Sequence, residues 1–433
     1  MSTPNASLWQ QYRSIPIIYR IATAFLLGSI LGLALGQPAT ALRPLGDLFV
    51  RLLKMLIIPI VFFTLVLGAR RLTPSSLGAI GGQVLVLYLV TTAIAIVIGL
   101  GVGNLVNPGI GLELESATVE PAEAPSLTDV FLNIVPTNPV GAMADGNVLG
   151  VIFFAVVFGL ALALLQEEFD AESPVGRGVE TIFDVVEAGA EAMFKIVWGV
   201  MEYGVIGVFA LMAAVFGKAG YDAILPFLKL IGAMALAVGV HIVLIYLLVI
   251  IAGFVRGSPA SFLVGAKDAM ITALSIRSSS GTLPVTMSDA EENLKIDEEV
   301  YSFSLPLGAT INMDGTAMYQ GIAAIFAANL VGETLTLAQQ RTVVLVALLA
   351  SFGTAGVPGS GVIMLTLVLT QLGLPLEVAG MVVGVDPILD RLRTMNNVTG
   401  DLAVTTLVAK WNDAIDLGAG VWGDGVRTGS GSD

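Results

Sequence analysis

The sequence contains no cysteine and a single histidine. Disulfide staples and thiolate metal sites are therefore excluded. Charge is also scarce: only 12% of the 433 residues are Asp, Glu, Lys or Arg, against about 25% in a soluble domain. Basic residues are the scarcer sign, and a net charge of −14 excludes nucleic acid as a partner, because phosphate contacts need clustered Lys and Arg. The first twenty residues hold no short apolar region ending in a small-residue cleavage site, so no removable signal peptide is expected. What fills the chain instead is hydrophobic residues, 55% of the total, with a mean hydropathy of +0.88. This is the composition of an integral membrane protein. Glycine-marked apolar stretches of helical length favour an all-α polytopic architecture over a barrel, whose strands would be about ten residues long and alternating.

Six spans are expected first: 15–36, interrupted by Arg20; 52–68, entered through Arg51 and Lys54, which can snorkel to the interface; 84–103, carrying Tyr88, Thr91 and Thr92; 148–165; 191–216, carrying Lys195 and Glu202; and 224–254. Between them, 104–147 is acidic and proline-bearing and reads as a solvated loop, and 166–190 reads as a charged connection. The distribution of Arg and Lys places the N-terminus in the cytoplasm. His241, inside the sixth span, reads as a packed or backbone-bonded side chain, with a proton relay as the second reading. The tail from 411 is polar and glycine-rich and is expected to be mobile, with no role in chemistry.

From 257 onward the apolar stretches shorten. SIRSSSGTLPVTM at 275–287 and LLASFGTAGVPGSGVIML at 348–365 both place Gly-Thr shortly before proline, midway in stretches of helical character. A break there leaves each half too short to cross about 30 Å of hydrocarbon. The two stretches therefore read as re-entrant helical hairpins with tips inside the protein. Paired interrupted segments of this kind point to a binding site at mid-membrane.

The stretch 386–401, DPILDRLRTMNNVTGD, is the most polar inside the apolar chain. On a helix, Asp386, Asp390, Arg393, Thr394, Asn397 and Asp401 share one face. In water that face would be an ordinary exposed stripe; in hydrocarbon it marks a site. The run Asn312-Met313-Asp314-Gly315-Thr316 is its counterpart. Where a helix unwinds, its free carbonyls suit a hard cation with oxygen preference. Asp314 and Asp401 offer charge, while Asn312, Asn397, Thr310, Tyr88, Thr91 and Thr92 offer neutral oxygens. Such a set suits sodium, with protonated aspartates as the competing reading, and it lacks the His or Cys that zinc or copper prefers. Arg393 matches a carboxylate bidentately, Asp390 one turn away suits an ammonium, and the serines at 278–280 suit a second carboxylate. Two anions with one ammonium describe an acidic α-amino acid. An Asp390–Arg393 ion pair within the helix is the bland alternative, compatible with an empty site.

At these residues the sequence resembles the glutamate/aspartate transporter family, the dicarboxylate/amino acid:cation symporters, including archaeal aspartate transporters. The likeness spans the chain from the first span to Lys410 and is most specific at 277–284, 312–316, 353–361 and 386–401. It implies a secondary active symporter, not an enzyme, importing L-aspartate, with L-glutamate weaker or equal, together with sodium across a prokaryotic cell membrane. It also implies eight spans, two re-entrant hairpins, inverted repeats and a homotrimer working as an elevator. The scaffold would comprise 1–78 and 111–222, and the transport domain 79–110 and 223–413, followed by a mobile tail, 414–433. The substrate contacts it implies are Arg277, Ser279, Thr316, Val357 and Gly361, then Asp390 to the amino group and Arg393 to the side-chain carboxylate, with Thr394 and Asn397 completing the shell. Three sodium sites are implied: Gly308, Asn312, Asn397 and Asp401; Thr310 with Ser351, Phe352 and Thr354; and Tyr88, Thr91, Thr92, Asn312 and Asp314. Gln320 stands where proton-coupled animal members carry Glu, which speaks against proton coupling by that route, while Asp390 and the intact oxygen sites disfavour the proton-coupled glutamate or C4-dicarboxylate alternative. In one respect the chain departs from the family. Animal members carry an arginine at the position of Arg391 and archaeal ones at that of Arg277, and this chain has both. Whether the two share a carboxylate is open, since Arg391 lies about 100° around the helix from Asp390.

Overall fold

The structure, a computed structural model, describes residues 11–12, 14–70, 74–112, 135–351 and 360–423. It is helical throughout; among the described residues the one extended pairing is a bridge between Ile296 and Ile415. In hydrocarbon the backbone must satisfy its own polar groups, and helices do so within one segment.

α1 (Ile17–Leu35) starts behind Pro16 and ends at Gly36, whose φ of 66° suits glycine. α2 (Arg43–Ala69) and α3 (Pro74–Val106, broken at Gly78) follow. A short α4 (Pro139–Asp145) and α5 (Val148–Glu168) come next, capped by the side chains of Asn138 and Asn147. The acidic 104–147 stretch is thus partly helical at both ends, and 113–134 lies outside the described residues. α6 (Pro174–Ala219) runs for 46 residues behind a Ser173 cap. It corrects the expectation of a charged connection up to 190: Val179, Phe183, Val186 and Ala190 are buried at helical spacing, so that segment is amphipathic and rests on α2 and α5. α7 (Ile224–His241) continues as a π-helix over Ile242–Val255.

Beyond this point the helices are short and paired. α8 (Pro259–Ile276) and α9 (Ser279–Ser288) meet at Arg277-Ser278 and pack against each other. α10 (Glu298–Ile311) and α11 (Asp314–Leu330) are separated by a break at Asn312-Met313. α12 (Leu337–Ser351) packs on α13 (Ser360–Leu372), and the stretch that joins them, 352–359, lies outside the described residues. α14 (Glu377–Val382) leads to α15 (Asp386–Trp411).

α1 and α2 pack mainly on α6, and α2 also on α5; α3 packs on α11, and α8, α10, α11 and the π-helix all pack on α15. The outer faces remain apolar: Leu26, Ile30, Met55, Val157, Trp198 and Leu228 are all exposed. Such a surface belongs in a bilayer. Among the described residues, 37–69, 80–106, 148–168 and 174–255, the last interrupted at Gly220, are long and apolar enough to cross one. The chain is a multi-pass membrane protein. α10, α11 and α15 fail that measure because they are broken or charged.

The tail differs from its expected mobility over 414–422. Asp297 N donates to Ala414 O at 2.9 Å, Asp416 N to Lys295 O at 3.1 Å, and Trp422 Nε1 to Leu294 O at 2.8 Å. Ile415, Leu417, Val421 and Trp422 pack on the core, and these apolar residues outweigh the glycines around them. Residues 424–433 lie outside the described residues.

Candidate functional site

α15 is buried on more than its polar face. Every residue from Asn396 to Ala409 is enclosed, along with Asp386, Asp390, Arg393 and Thr394. Two clusters form along it, one around the break between α10 and α11 and one around Arg393.

At the break, Asp314 opens α11. Its Oδ1 accepts a short hydrogen bond from Thr92 Oγ1, and its Oδ2 one from Tyr246 OH at 2.7 Å. Asp401 Oδ1 accepts from Asn312 Nδ2 at 2.8 Å, and the same amide reaches Asn397 O at 3.1 Å. Asn397 Oδ1 accepts from Gly315 N at 2.7 Å, one of the N–H groups a helix start leaves free. Tyr88 OH donates to Ser304 O, and Thr91 Oγ1 to Tyr88 O. A Cβ on Gly308 would stand 2.4 Å from Tyr88 OH and 2.5 Å from Asp401 Oδ1, so only glycine fits there. Asp314 is 0% and Asp401 2% exposed, and among the described residues neither pairs with Lys or Arg. Among the described residues Asn312 Oδ1 has no donor. Two buried carboxylates supplied only with neutral donors call for a cation or protons. Thr310 and Ser351 instead bond back to their own helices, at Leu307 O and Leu348 O. Their expected companions Phe352 and Thr354 lie outside the described residues, as does Val357.

One to two turns earlier on α15, Arg393 is 1% exposed. Its Nη2 lies 2.8 Å from both Asp386 Oδ1 and Asp390 Oδ1, and its guanidinium stacks 4.5 Å from the Tyr319 ring centroid. Nε and Nη1 have no acceptor among the described residues. Arg277 approaches from the other side, with Nη1 3.9 Å from Asp390 Oδ2. It occupies the turn between α8 and α9 at φ 60°, ψ 38°, a left-handed conformation uncommon for arginine and the kind of strain that gathers at functional sites. Gly361 lies against the Arg393 guanidinium, where a Cβ would come within 2.9 Å of Cζ. Gly361 O accepts from Gln320 Nε2 at 3.1 Å. Thr394 Oγ1 donates to Asp390 O. Ser279 and Thr316 are buried, 4% and 5% exposed. The Asp390–Arg393 ion pair is thus present, and unmade guanidinium bonds surround it.

Arg391 is elsewhere. Its Nη1 donates to Pro387 O at 2.7 Å and its Nη2 to Tyr19 OH of α1 at 3.5 Å. Among the described residues it shares no carboxylate with Arg277. The sequence reading missed Tyr246 and Tyr319 and gave Asp386 no task. Each had a signal: Tyr246 is an isolated hydroxyl in an apolar run, Tyr319 lies one turn after Thr316, and Asp386 is on the Arg393 face.

The profile of the Sodium:dicarboxylate symporter family matches residues 17–411. The chain belongs to this family. Among the relatives of this symporter, the "Proton/sodium-glutamate symport protein" of Geobacillus stearothermophilus is 34% identical over 417 residues, covering 92% of this chain and 95% of that one. The "C4-dicarboxylate transport protein" of Leptothrix cholodnii is 34% identical, covering 96% and 92%. The "Proton/glutamate-aspartate symporter" of Escherichia coli is also 34% identical, covering 92% and 94%. The protein is a transporter and not an enzyme.

Proposed function

We propose that this symporter carries acidic amino acids, L-aspartate at least as well as L-glutamate, into a prokaryotic cell together with sodium. The observation behind this reading is the cluster of Arg393, Asp390 and Arg277. The buried guanidinium of Arg393 and the part-exposed one of Arg277, both with unmade N–H bonds among the described residues, flank one carboxylate, a pattern complementary to two carboxylates and an ammonium. A plain dicarboxylate leaves Asp390 repelled, and a neutral amino acid leaves Arg393 without its partner. Ser279, Thr316, Val357, Gly361, Thr394 and Asn397 complete the substrate shell.

Sodium is the co-transported ion in this reading. One ion is assigned to Gly308, Asn312, Asn397 and Asp401, a second to Tyr88, Thr91, Thr92, Asn312 and Asp314, and a third to Thr310 with Ser351, Phe352 and Thr354. Sodium organises the broken α10–α11 pair and α15; substrate then lets the α12–α13 hairpin close, and only the closed state crosses. We assign 79–110 and 223–413 to the moving domain and 1–78 and 111–222 to a trimeric scaffold, with eight spans, two re-entrant hairpins and the N-terminus in the cytoplasm. The packing of α1, α2, α5 and α6 on one another supports that division.

The relatives' names leave protons and C4-dicarboxylates as the second reading. Uptake of labelled aspartate, glutamate and succinate into proteoliposomes, under separate sodium and proton gradients, decides between them. Sodium-driven aspartate uptake with little succinate is the expected result; proton-driven succinate uptake indifferent to sodium overturns it.

A further inference from the structure

Behind Asp314 lies a chain of side chains that the substrate and sodium assignments leave unused. Tyr246, Asn396 and His241 are all 0% exposed. Tyr246 OH donates to Asp314 Oδ2 at 2.7 Å, Asn396 Nδ2 lies 3.4 Å from Tyr246 OH, and His241 Nδ1 lies 3.2 Å from Asn396 Oδ1. The hydrogen-bond inventory fixes the direction. Tyr246 has one proton, and the carboxylate, which only accepts, takes it. Asn396 must then offer its NH₂ to the tyrosine oxygen and present its carbonyl to His241, whose Nδ1 must carry a proton. Every donor in the series points toward Asp314.

Backbone winding is what brings these residues together. His241 and Tyr246 are five apart, and in an α-helix they would point about 140° from each other. His241 ends the α-helical part of the span, and Ile242 begins the π-helix. The wider i→i+5 winding returns residue 246 to the side of residue 241, and the two rings meet edge to face at 4.6 Å between centroids. Room is made on α15 by Gly400, where a Cβ would stand 2.3 Å from Tyr246 OH.

We propose that Tyr246 is a positioning residue for ion binding, fixing the rotamer of the Asp314 carboxylate, and that Asn396 and His241 act through it. Thr92 holds Oδ1 and Tyr246 holds Oδ2, so the carboxylate cannot swing about its Cβ–Cγ bond. The inference rests on the reading of Asp314 as a sodium ligand.

The test is sodium-dependent aspartate binding to the purified full-length protein. Tyr246→Phe keeps the ring and removes the proton; the half-saturating sodium concentration rises about tenfold, while aspartate affinity at saturating sodium is unchanged. Asn396→Val raises it about threefold alone and adds nothing in the Tyr246→Phe background, because it acts through that hydroxyl. Additive effects, or a Tyr246→Phe protein with normal sodium dependence, overturn the positioning role. Asp314→Asn separates this from the reading beneath it. If it shifts sodium dependence while Tyr246→Phe does not, only the positioning role fails; if neither does, the sodium assignment of Asp314 fails as well. A thermal melt checks folding, and because Tyr246→Phe preserves the packed ring, an unshifted melt with a shifted sodium curve is the outcome a merely structural tyrosine would not give.

Discussion

α2 and α15 are nearly equal in length and opposite in construction. Ten of the 27 residues of α2 are buried, along one stripe through Phe49, Leu53, Leu56 and Ile60, and its exposed residues include Leu45, Leu48 and Met55 beside Arg51 and Lys54. Twenty of the 26 residues of α15 are buried, although it carries Asp386, Asp390, Arg393, Asn396, Asn397 and Asp401. In water the more polar helix would be outside. Here the surrounding solvent is hydrocarbon, so an apolar helix can face outward without cost, and enclosing polar groups needs partners that the protein must supply. α2 is held by side-chain packing, which tolerates change. α15 is held by specific bonds, several of which remain unmade. Substitutions in the two helices should therefore differ in kind as well as size.

The largest effect is expected at Arg393. Replacing it by cysteine removes the fork, leaves Asp386 buried without its cation and leaves Asp390 with only the more distant Arg277, a loss of about 3–5 kcal/mol for a broken buried pair. Acidic substrate uptake should fall by at least about a hundredfold, with some affinity for a neutral amino acid retained. Aspartate uptake unchanged in proteoliposomes would remove Arg393 from the substrate's path. Asp401→Asn comes next: it keeps the shape and the bond to Asn312 but removes a negative charge with no basic neighbour, and should raise half-saturating sodium about tenfold. A sodium dependence like that of the unaltered protein would count against its ion role.

How well the sequence anticipates each helix follows from the same contrast. The breaks at Arg277-Ser278 and Asn312-Met313 and the polar face of α15 stand out because polarity is rare in a chain that is 55% hydrophobic. The lower part of α6 was hidden for the opposite reason. Its charges read as a connection, and the buried series Val179, Phe183, Val186 and Ala190 becomes visible only when 174–190 is tested for helical period. Tertiary partners were not legible at all. Nothing local says that Tyr246 reaches Asp314, 68 residues on, or that Trp422 closes on Leu294. Composition read the tail as mobile because glycines dominate it, yet four apolar side chains are enough to seat it on the base of α8 and α10.

Among the described residues of α1, α2, α5 and α6 the one buried charge is Arg20 of α1, held bidentately by Glu202 of α6 at 2.6 and 2.8 Å. This pair tests whether buried charge always signals transport. Arg20→Met should lower the melting temperature by taking from the part-buried Glu202 its bidentate partner, and Arg20→Met with Glu202→Leu should recover most of the loss, because a packed apolar pair replaces the ion pair at little net cost. Sodium and aspartate affinities should stay put in both variants, which would make this a structural charge, unlike Arg393. A shifted substrate affinity in the double variant would contradict that division.

The smallest effect is expected at Arg391, two residues from Arg393 and on a different side of α15. Arg393 meets two carboxylates at 2.8 Å. Among the described residues Arg391 meets none: its partners are the Pro387 carbonyl of its own helix and, at 3.5 Å, the hydroxyl of Tyr19 on α1. A neutral side chain can replace most of what it does, because a half-exposed guanidinium bonded to neutral oxygens contributes about 1 kcal/mol or less. Arg391→Gln should therefore leave aspartate and sodium affinities within about threefold of the unaltered protein, while its uptake rate registers any restraint that the contact with α1 places on the movement of α15. A large loss of aspartate affinity would mean that Arg391 reaches the substrate in another conformation, and Arg277 would then lose its standing as the sole second guanidinium of the site.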